Sequence, residues 1–451
     1  MGIYDIFKLI YSFEKETKVE LHEMISDSKS EVLINKNEEG LFFKLGIPFF
    51  KLLYQSDSNF IIRHNSFDIK IAHFLSNYVK NNFSIRMCKA YIFQSSSFIE
   101  KKKMFYSYYS NINKNHFKLL FHTDKDDFKI SINNINFKIS SCKISSEINH
   151  SFLCIECDSK IDFKDFKHYV NNITVSLGFI SGRFYKTEEF YFQSNFQDFS
   201  EETDFFYRSL NNKYNFPEPF TNHPSNWNWK FNEKFVFSEE LKNNWSSYID
   251  EDKFNFLVKL LIKKPRIFFS IRMIFDFYKT PPISRVSLMF VVLETLCEEL
   301  NVKNTRVEKQ LKQEIGIETL NRLKDKISDE DFNILTDIVE NIDNKLTNNA
   351  VHFEQTLKSL GMNYSNEERN ILSKRNDFFH GRIIPNLHQI ESEEEYVNLE
   401  LKYNYYTLRL YVLVSKILLK TIGFKGYLIN YPKLFEDDNK MNLKESYFVK
   451  I

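Results

Sequence analysis

The first half of the chain contains short stretches in which hydrophobic and polar residues alternate. In one of them Phe128, Ile130 and Ile132 alternate with polar residues, and the alternation resumes over 135–139 after Asn133-Asn134. Alternation with a period of two is typical of a β-strand with one buried face. Asparagine accepts the positive φ that a tight hairpin turn requires. This stretch therefore predicts a β-hairpin that turns at the asparagine pair.

Similar runs at 31–34, 41–45 and 188–192 predict further strands. One helix is expected among them, because hydrophobic residues follow helical spacing from Asp165, a candidate N-cap, to Gly178. The proline- and asparagine-rich stretch 211–224 predicts a loop or linker. The first half is thus predicted to be an antiparallel β domain with a few helices.

From about residue 250 the hydrophobic period becomes helical. Helices are predicted over 266–278 and 286–300, the second one capped by Ser284. Two hydrophobic stripes at helical spacing predict further buried helix faces. Their members are Phe254, Leu257, Val258 and Leu261, followed by Ile334, Leu335, Ile338, Val339, Ile342 and Leu346.

A late helix is predicted to begin at Ser365, since a serine followed by Glu367 and Glu368 is a favourable helix start. Gly381 is a suitable residue just beyond its end. A long final helix is predicted over about 396–422, and the acidic run 391–395 before it predicts a solvated loop.

These patterns predict an α+β protein of two domains. Residues 1–245 form a β-rich N-terminal domain with a few helices, and residues 250–430 form an all-α helical bundle. Residues 431–451 are expected to be a C-terminal tail. The hydrophobic period is two residues before the predicted linker and helical after it. We therefore place the domain boundary at the linker.

Composition narrows the functional classes. The 61 basic and 60 acidic side chains nearly cancel, so any nucleic-acid binding must depend on a local patch. Five cysteines in 451 residues do not form a disulfide framework and indicate a reducing compartment. The N-terminal stretch lacks the features of a signal peptide, and no segment is suited to cross a bilayer. A cytoplasmic protein without a membrane partner is expected.

Metal and cofactor motifs have little support. Cys154 and Cys157 form the one C-x-x-C, with His150 nearby, but no second pair has zinc-site spacing. In a strand, residues three apart face opposite sides. The chain has no phosphate-binding glycine loop, dinucleotide fingerprint or nucleophile elbow. No cofactor and no metal are expected.

One motif carries candidate chemistry. Arg375-Asn376-Asp377-Phe378-Phe379-His380 places an arginine, a polar residue and a histidine near the end of a predicted helix. Taken alone, this spacing is also compatible with an arginine that pairs with an acid and a histidine at a helix C-terminus. An earlier predicted helix carries Glu294 within the sequence VVLETLCEEL, and a long helix follows the motif.

This arrangement resembles the HEPN superfamily, and residues of about 250–425 resemble its Apea-like group more closely. The resemblance implies a helical ribonuclease domain in which Arg375 and His380 occupy the two defining positions and Asn376 the usual polar one. Glu294 matches an acid of the earlier helix, with either a supporting role towards Arg375 or a direct one. The family also implies metal-independent RNA cleavage by a dimer, in bacterial phage defence or abortive infection, where the enzyme acts as a toxin.

The residue types suit such chemistry. RNA carries its own nucleophile, the 2′-hydroxyl, so the protein must supply proton transfer and charge stabilisation. Histidine titrates near neutral pH, and arginine offers a permanent charge shaped to bind phosphate oxygens. RNA, tRNA included, is the expected partner. A phage-derived trigger is expected on the N-terminal domain, which would serve as a sensor.

Two alternatives from other classes remain open. A catalytically silent HEPN protein could bind RNA or nucleotide, or act as a scaffold. The N-terminal β domain could instead be the functional module, binding a protein or carbohydrate ligand, while the bundle only dimerises. The presence of both Arg375 and His380 favours the enzyme.

Overall fold

A computed structural model gives the structure of the protein. It describes residues 3–23, 28–37, 40–46, 60–64, 67–75, 85–95, 97–98, 100, 102–112, 127–144, 151–199, 203–215, 217–220, 248–276, 279–300, 305–340, 349–362, 364–379 and 392–451.

The chain forms two compact units. The first comprises Met1–Glu218 and Tyr248–Lys263, and the second comprises Pro219–Ser247 and Lys264–Ile451. The first is rich in strands and the second is helical among the described residues, so the α+β class is correct. The segment 250–263, predicted to start the bundle, clusters with the β-rich unit instead.

Twelve described strands of the first unit form one antiparallel sheet, in the order β3-β2-β1-β4-β5-β6-β12-β11-β7-β10-β9-β8. The strands are β1 (Thr17–Glu23), β2 (Ser28–Asn37), β3 (Gly40–Gly46), β4 (Phe60–His64), β5 (Phe67–Leu75), β6 (Ile85–Ser95), β7 (Phe105–Ile112), β8 (Asp127–Ile132), β9 (Ile135–Lys143), β10 (Ser151–Cys157), β11 (Arg183–Ser194) and β12 (Asp204–Asn215).

Strand β6 belongs to both parts of this sheet, a ring of β1 to β6 and an open sheet formed by the other six strands. Residues 85–90 of β6 pair with β3, whereas residues 92–94 pair with β12. The β3–β6 pairing joins the sheet's first strand back to its sixth, so β1 to β6 form a closed ring of antiparallel strands. The other six strands continue from β6 as an open antiparallel sheet.

The predicted hairpin is confirmed. Strands β8 and β9 pair from Asp127↔Ser140 to Ile132↔Ile135, and Asn133 and Asn134 both have positive φ, at 50° and 64°. Two successive positive φ values match the two-residue turn whose twist suits a hairpin. The runs at 31–34, 41–45 and 188–192 lie in β2, β3 and β11, as predicted.

Helices cover both faces of the open sheet. Helix α1 (Ile3–Ser12) packs Phe7 against Phe190 and Phe192, whereas α2 (Phe163–Ser181) packs Phe163 and Phe166 against Tyr191. Because successive strand residues face opposite sides, β11 contributes to two cores.

Helix α2 differs at both ends from its prediction. Its N-cap is Asp162 instead of the predicted Asp165, so the helix begins at Phe163, three residues earlier than expected. It ends at Ser181 rather than near Gly178. Gly182 has the left-handed φ of 64° that suits a residue beyond a helix end. Gly178 is buried inside the helix, where packing outweighs the low helix propensity of glycine.

The predicted loop at 211–224 is also partly wrong. Strand β12 continues to Asn215, which pairs with Arg183 of β11. The asparagines of 211–215 disfavour strands on their own, but pairing with a long neighbouring strand overrides this preference.

Helix α3 (Glu251–Lys263) buries the first of the two predicted hydrophobic stripes, and its Phe254 contacts Phe128 edge to face.

The second unit is built around one long helix. Its described helices are α4 (Pro265–Asp276), α5 (Pro282–Leu300), α6 (Thr305–Leu323), α7 (Asp329–Glu340), α8 (Asn349–Ser359), α9 (Asn366–Ser373), α10 (Arg375–Phe379), α11 (Glu393–Thr421) and α12 (Tyr431–Leu434), with a 3₁₀ turn at Lys324–Lys326. Helix α11 is buried on nearly every side from Tyr405 to Leu419. A helix apolar all round occupies the centre of a helical fold.

Two predicted helix starts in this unit are shifted. Helix α5 begins at Pro282, two residues before Ser284, because proline suits the first turn of a helix. The acidic residues 393–395 form the first turn of α11 instead of a loop. The Ser392 hydroxyl caps that turn by accepting from the Glu395 amide, and carboxylates are favoured at a helix N-terminus.

The second predicted stripe is only partly buried. Ile334 and Ile338 of α7 are 53% and 49% exposed. Helix α7 instead meets α6 where a Cβ added to Gly316 would lie 2.8 Å from Val339 Cγ1. Glycine therefore permits the close approach of the two helices. Ile342 and Leu346 lie outside the described residues.

Residues 431–451 are not a tail in the structure. Strands β13 (Tyr427–Ile429) and β14 (Phe448–Lys450) pair antiparallel, and α12 lies between them in the chain. Buried polar contacts hold this segment to α11, the Arg409–Glu445 ion pair at 2.7 Å among them. No helix among the described residues is long and apolar enough to cross a membrane.

Candidate functional site

Within its described residues, the helix predicted from Ser365 to Gly381 is two short helices. Ser365 caps α9 as predicted, with its hydroxyl accepting from the Glu368 amide at 3.1 Å and the Glu368 carboxylate accepting from the Ser365 amide at 2.8 Å. The helix ends at Ser373, and α10 starts two residues later at Arg375. The described residues of the motif, Arg375–Phe379, therefore form a helix of their own after a break at Lys374.

Phe378 fixes α10 in the helical unit. Its buried ring lies 5.8 Å from the ring of Phe290 on α5, and it meets Tyr403 and Tyr406 of α11 edge to face at 6.0 and 5.7 Å. Aromatic rings prefer this edge-to-face geometry. One apolar side chain thus anchors the motif to both of the longer helices beside it.

Arg375 is held by Glu294. The Arg375 Nε donates to Glu294 Oε1 across α5 and α10, and each side chain is about a quarter exposed, at 24% and 25%. Arg375 Nη1 also donates to Asn376 Oδ1 at 2.8 Å, and the guanidinium lies 4.6 Å over the ring of Phe379. Three neighbours thus fix the guanidinium while solvent still reaches it.

The structure brings together three of the four predicted site residues. Arg375 contacts both Glu294 and Asn376 and thus joins the three residues. His380 lies outside the described residues, as does Gly381. The amide oxygen of Asn376 is directed to Arg375, so this contact orients the arginine.

Cys297, one turn beyond Glu294, does not supply a nucleophile here. Burial raises the pKa of its thiol to about 12, opposed by a hydrogen bond with Thr356 and aided by the charges of Glu294 and Glu298. A thiol with a raised pKa stays protonated near neutral pH and is unreactive.

Lys374 is a neighbour that the sequence analysis did not single out. Its Nζ donates to the Tyr406 hydroxyl at 3.2 Å and lies 5.5 Å over the same ring. Lys402 lies 6.0 Å over that ring as well. The basic and aromatic residues at 402, 405 and 406 on one helix could have indicated this cluster, since such interleaving is common where proteins bind single strands.

The two cysteines of the C-x-x-C sequence lie on a single β-strand. Cys154 and Cys157 lie on β10, where Cys154 Sγ is 3.8 Å from Ser107 Oγ and Cys157 Sγ donates to the Ser159 carbonyl at 3.3 Å. Burial raises the pKa of Cys157 to about 11. Within the described part of the chain, no group of three or more metal-ligating side chains could hold a metal ion.

No family model, curated protein or solved structure matches this chain.

Proposed function

We propose that this protein is a HEPN-type endoribonuclease that cleaves RNA without a metal ion and acts in bacterial phage defence. The observation that carries the proposal is the geometry around Arg375. An ion pair with Glu294 and a hydrogen bond with Asn376 hold its guanidinium, and about a quarter of the side chain is open to solvent. Together with the sequence motif, this geometry is what we expect of an arginine that is already oriented to bind a phosphate.

In the proposed reaction the substrate's 2′-oxygen attacks the adjacent phosphorus atom. His380 takes the 2′-hydroxyl proton as general base, and Arg375 stabilises the charge that develops on the phosphate oxygens. The bond from phosphorus to the 5′-oxygen then breaks, and that oxygen receives a proton. The products are a 2′,3′-cyclic phosphate and a 5′-hydroxyl end.

The proton transfers give dimerisation a chemical reason. One imidazole does not readily reach both the attacking 2′-oxygen and the leaving 5′-oxygen, which lie on opposite sides of the phosphorus atom. Two copies of the motif across a two-fold axis would supply a base and an acid. The proposal therefore includes a homodimer, formed through the helical unit, with both motifs at one shared cleft.

The first unit is proposed to sense infection. It would bind a phage-derived trigger and release the ribonuclease activity of the second unit, in keeping with the resemblance that the sequence carries. A plaque assay of cells that express the chain tests this role. Wild-type protein should reduce plating by phage, and the His380→Ala variant should not.

The test of the chemistry uses purified protein, with its activator where one is needed, and matched RNA and DNA oligonucleotides. Wild-type protein should cut RNA in EDTA and leave cyclic phosphate ends. It should spare both DNA and RNA carrying a 2′-O-methyl group at the scissile nucleotide. A 5′-phosphate product, an absolute need for Mg²⁺ or equal cutting of DNA would each rule out the mechanism.

Variants connect the activity to the motif. His380→Ala and Arg375→Ala should each lower cleavage by about 10²-fold or more, the usual effect of removing a charge-stabilising or proton-transfer group. Arg369→Ala is the matched control, because Arg369 lies on the preceding helix and its exposed side chain pairs with Glu354. RNA that is bound by folded wild-type protein but never cut would instead favour the catalytically silent alternative.

A further inference from the structure

Helices α6 and α7 form a hairpin that has little contact with the rest of the helical unit. The 3₁₀ turn at Lys324–Lys326 joins the two helices, and Gly316 of α6 lies against Val339 of α7. Among the described residues, neither helix packs extensively on any other helix or strand. Helices in proteins take most of their stability from tertiary packing, and two helices alone bury little apolar surface. The hairpin therefore needs a further packing partner.

One face of the hairpin is apolar and exposed to solvent. Helix residues advance by about 100° each, so the contact between Gly316 and Val339 defines which side chains lie on either side of the plane through the two helix axes. Four large apolar side chains, between 37% and 55% exposed, lie on the same side of this plane. They are Ile315 and Leu323 of α6 and Leu335 and Ile338 of α7.

The opposite face of the hairpin is polar by comparison. Asn321 of α6 and Asn333 and Asp337 of α7 lie on it and are exposed, and Ile317, 40% exposed, is the large apolar side chain that it presents. Contiguous apolar surface on a soluble protein marks an interaction site, whereas single exposed apolar residues are ordinary. The apolar face is therefore the one expected to be covered.

The charges at the tip of the hairpin point to the partner. Residues 322–326 carry three basic side chains and one acidic one, whereas residues 329–331 carry three acidic side chains and no basic one. Lys326, Asp329 and Glu330 are exposed. Each chain thus presents a basic end of α6 beside an acidic start of α7, and the two are complementary to each other.

A two-fold axis parallel to the hairpin makes two such faces fit. The rotation places α6 of one chain beside α7 of the other at the same height, so the two apolar faces close on each other. The basic end of each α6 then meets the acidic start of the partner's α7. A perpendicular two-fold axis would instead place that acidic start beside the end of the partner's α7, whose last turn has no basic residue. The charges therefore favour the parallel axis.

We propose that the α6–α7 hairpin binds the same hairpin of a second copy of this chain and forms a four-helix bundle with it. The proposal deepens the homodimer proposed above, because it names the helices that hold the two chains together. It rests on that proposed function only for the presence of a second chain, so it can be tested by association alone.

The first test is analytical ultracentrifugation of the full-length protein over a series of concentrations. Ile338→Asp places a charge in the apolar contact, and does so twice in each dimer, so the dissociation constant should rise about 10²-fold or more. Asn333→Asp adds the same charge on the opposite face of α7 and should change the constant by less than about threefold. Circular dichroism confirms that both variants are folded.

Charge reversal tests the two-fold arrangement and covers the case in which Ile338→Asp does not fold. Lys324→Glu together with Lys326→Glu makes the tip acidic, and Asp329→Lys together with Glu330→Lys makes it basic. Each protein alone should associate about tenfold more weakly at low salt, because like charges then meet. An equal mixture should regain the wild-type affinity as heterodimers, since each changed end meets the opposite charge. Native mass spectrometry of differently tagged chains measures the pairing, and added salt should reduce the preference.

Three results would overturn the proposal. They are full-length protein that stays monomeric at about 100 µM, an unchanged dissociation constant in folded Ile338→Asp protein, and random pairing of the two charge-reversed proteins. The first would assign the apolar face to a different protein, and the second would leave the dimer to a contact elsewhere in the helical unit. RNA cleavage by a dimer that these changes do not affect would refute the hairpin contact alone. A hairpin-dependent dimer that never cuts RNA would refute the ribonuclease alone.

Discussion

At the scale of single residues, the position of Glu294 explains how a chain can hold an arginine ready for an anionic substrate. The two partners are 81 residues apart and meet only when α5 and α10 pack together. A carboxylate beside the guanidinium fixes its orientation but also competes with phosphate for it. Glu294 therefore acts as a positioning residue for Arg375 in the proposed mechanism.

This role predicts a modest effect of Glu294→Gln. The amide oxygen of the new glutamine still accepts from Arg375, so kcat/KM for RNA cleavage should fall only about tenfold in Glu294→Gln. In Arg375→Ala the same quantity should fall by about 10²-fold or more. The pH profile should keep its shape, because no titrating catalytic group is lost. Glu298→Gln, on the exposed side of the same helix, is the control. Loss of one limb of the pH profile in Glu294→Gln would instead make Glu294 an acid or base.

Another residue-scale feature is a buried carboxylate in the first unit. Glu188 accepts from the hydroxyls of Tyr11 at 2.8 Å and Tyr207 at 2.9 Å, and Lys36 Nζ lies 3.0 Å away. Burial, and next the charge of Glu188, raise the pKa of Tyr11 far above its ordinary value, so its hydroxyl stays a donor. The network joins α1 and β2 to β11 and β12.

Tyr11→Phe should therefore destabilise the first unit. The variant removes one hydrogen bond to a buried charged group, at a cost of about 2 kcal/mol in the free energy of unfolding. Tyr4→Phe, on the more exposed side of the same helix, should cost less than about 0.5 kcal/mol. Urea denaturation followed by circular dichroism measures both. Equal stabilities of the two variants would contradict a structural role for the network.

At the scale of elements, a group of polar contacts holds the C-terminal segment against α11. Glu445 Oε2 accepts from Arg409 at 2.7 Å and from Asn430 Nδ2 at 2.9 Å. Burial alone would raise the pKa of Glu445, but these hydrogen bonds and the charges of Arg409 and Lys416 lower it below its ordinary value. The carboxylate form thus stabilises the packing of the segment on α11.

The direction of this pKa shift determines the pH dependence. A carboxyl group whose pKa is lower in the folded state stabilises fully above its unfolded pKa of about 4.3, and the stabilisation is lost as pH falls through the folded pKa. The Glu445→Gln variant should be less stable than wild type near neutrality by about 2 kcal/mol. The difference should shrink in acid, as measured by urea denaturation at a series of pH values. A constant difference down to pH about 3 would contradict the shift.

Elements with local causes were predictable, and those with distant causes were not. The Asn133-Asn134 turn and the Ser365 cap depend on residues within one turn, so the sequence pattern sufficed. The break at Lys374 and the extension of β12 to Asn215 depend on packing against other elements. For the same reason the pattern indicated Glu294 only through a family resemblance.

At the scale of the whole molecule, the proposed ribonuclease requires two chains. Each chain contributes one motif to the shared cleft, so a mixed dimer with one His380→Ala chain lacks either the base or the acid. Activity should then depend on the fraction of dimers with two wild-type chains, which is the square of the wild-type fraction when chains pair at random. Independent active sites would instead give a linear dependence.

This difference can be measured by mixing. Wild-type and His380→Ala proteins are co-expressed with distinct tags, and the subunit ratio of the purified mixture is determined by mass spectrometry. At equal amounts, RNA cleavage should fall to about one quarter of that of the same total amount of wild-type protein. Arg369→Ala in place of His380→Ala should leave cleavage unchanged, because both motifs remain intact. Cleavage at about one half would show that each chain acts alone, and light scattering of the same sample would then be expected to report a monomer.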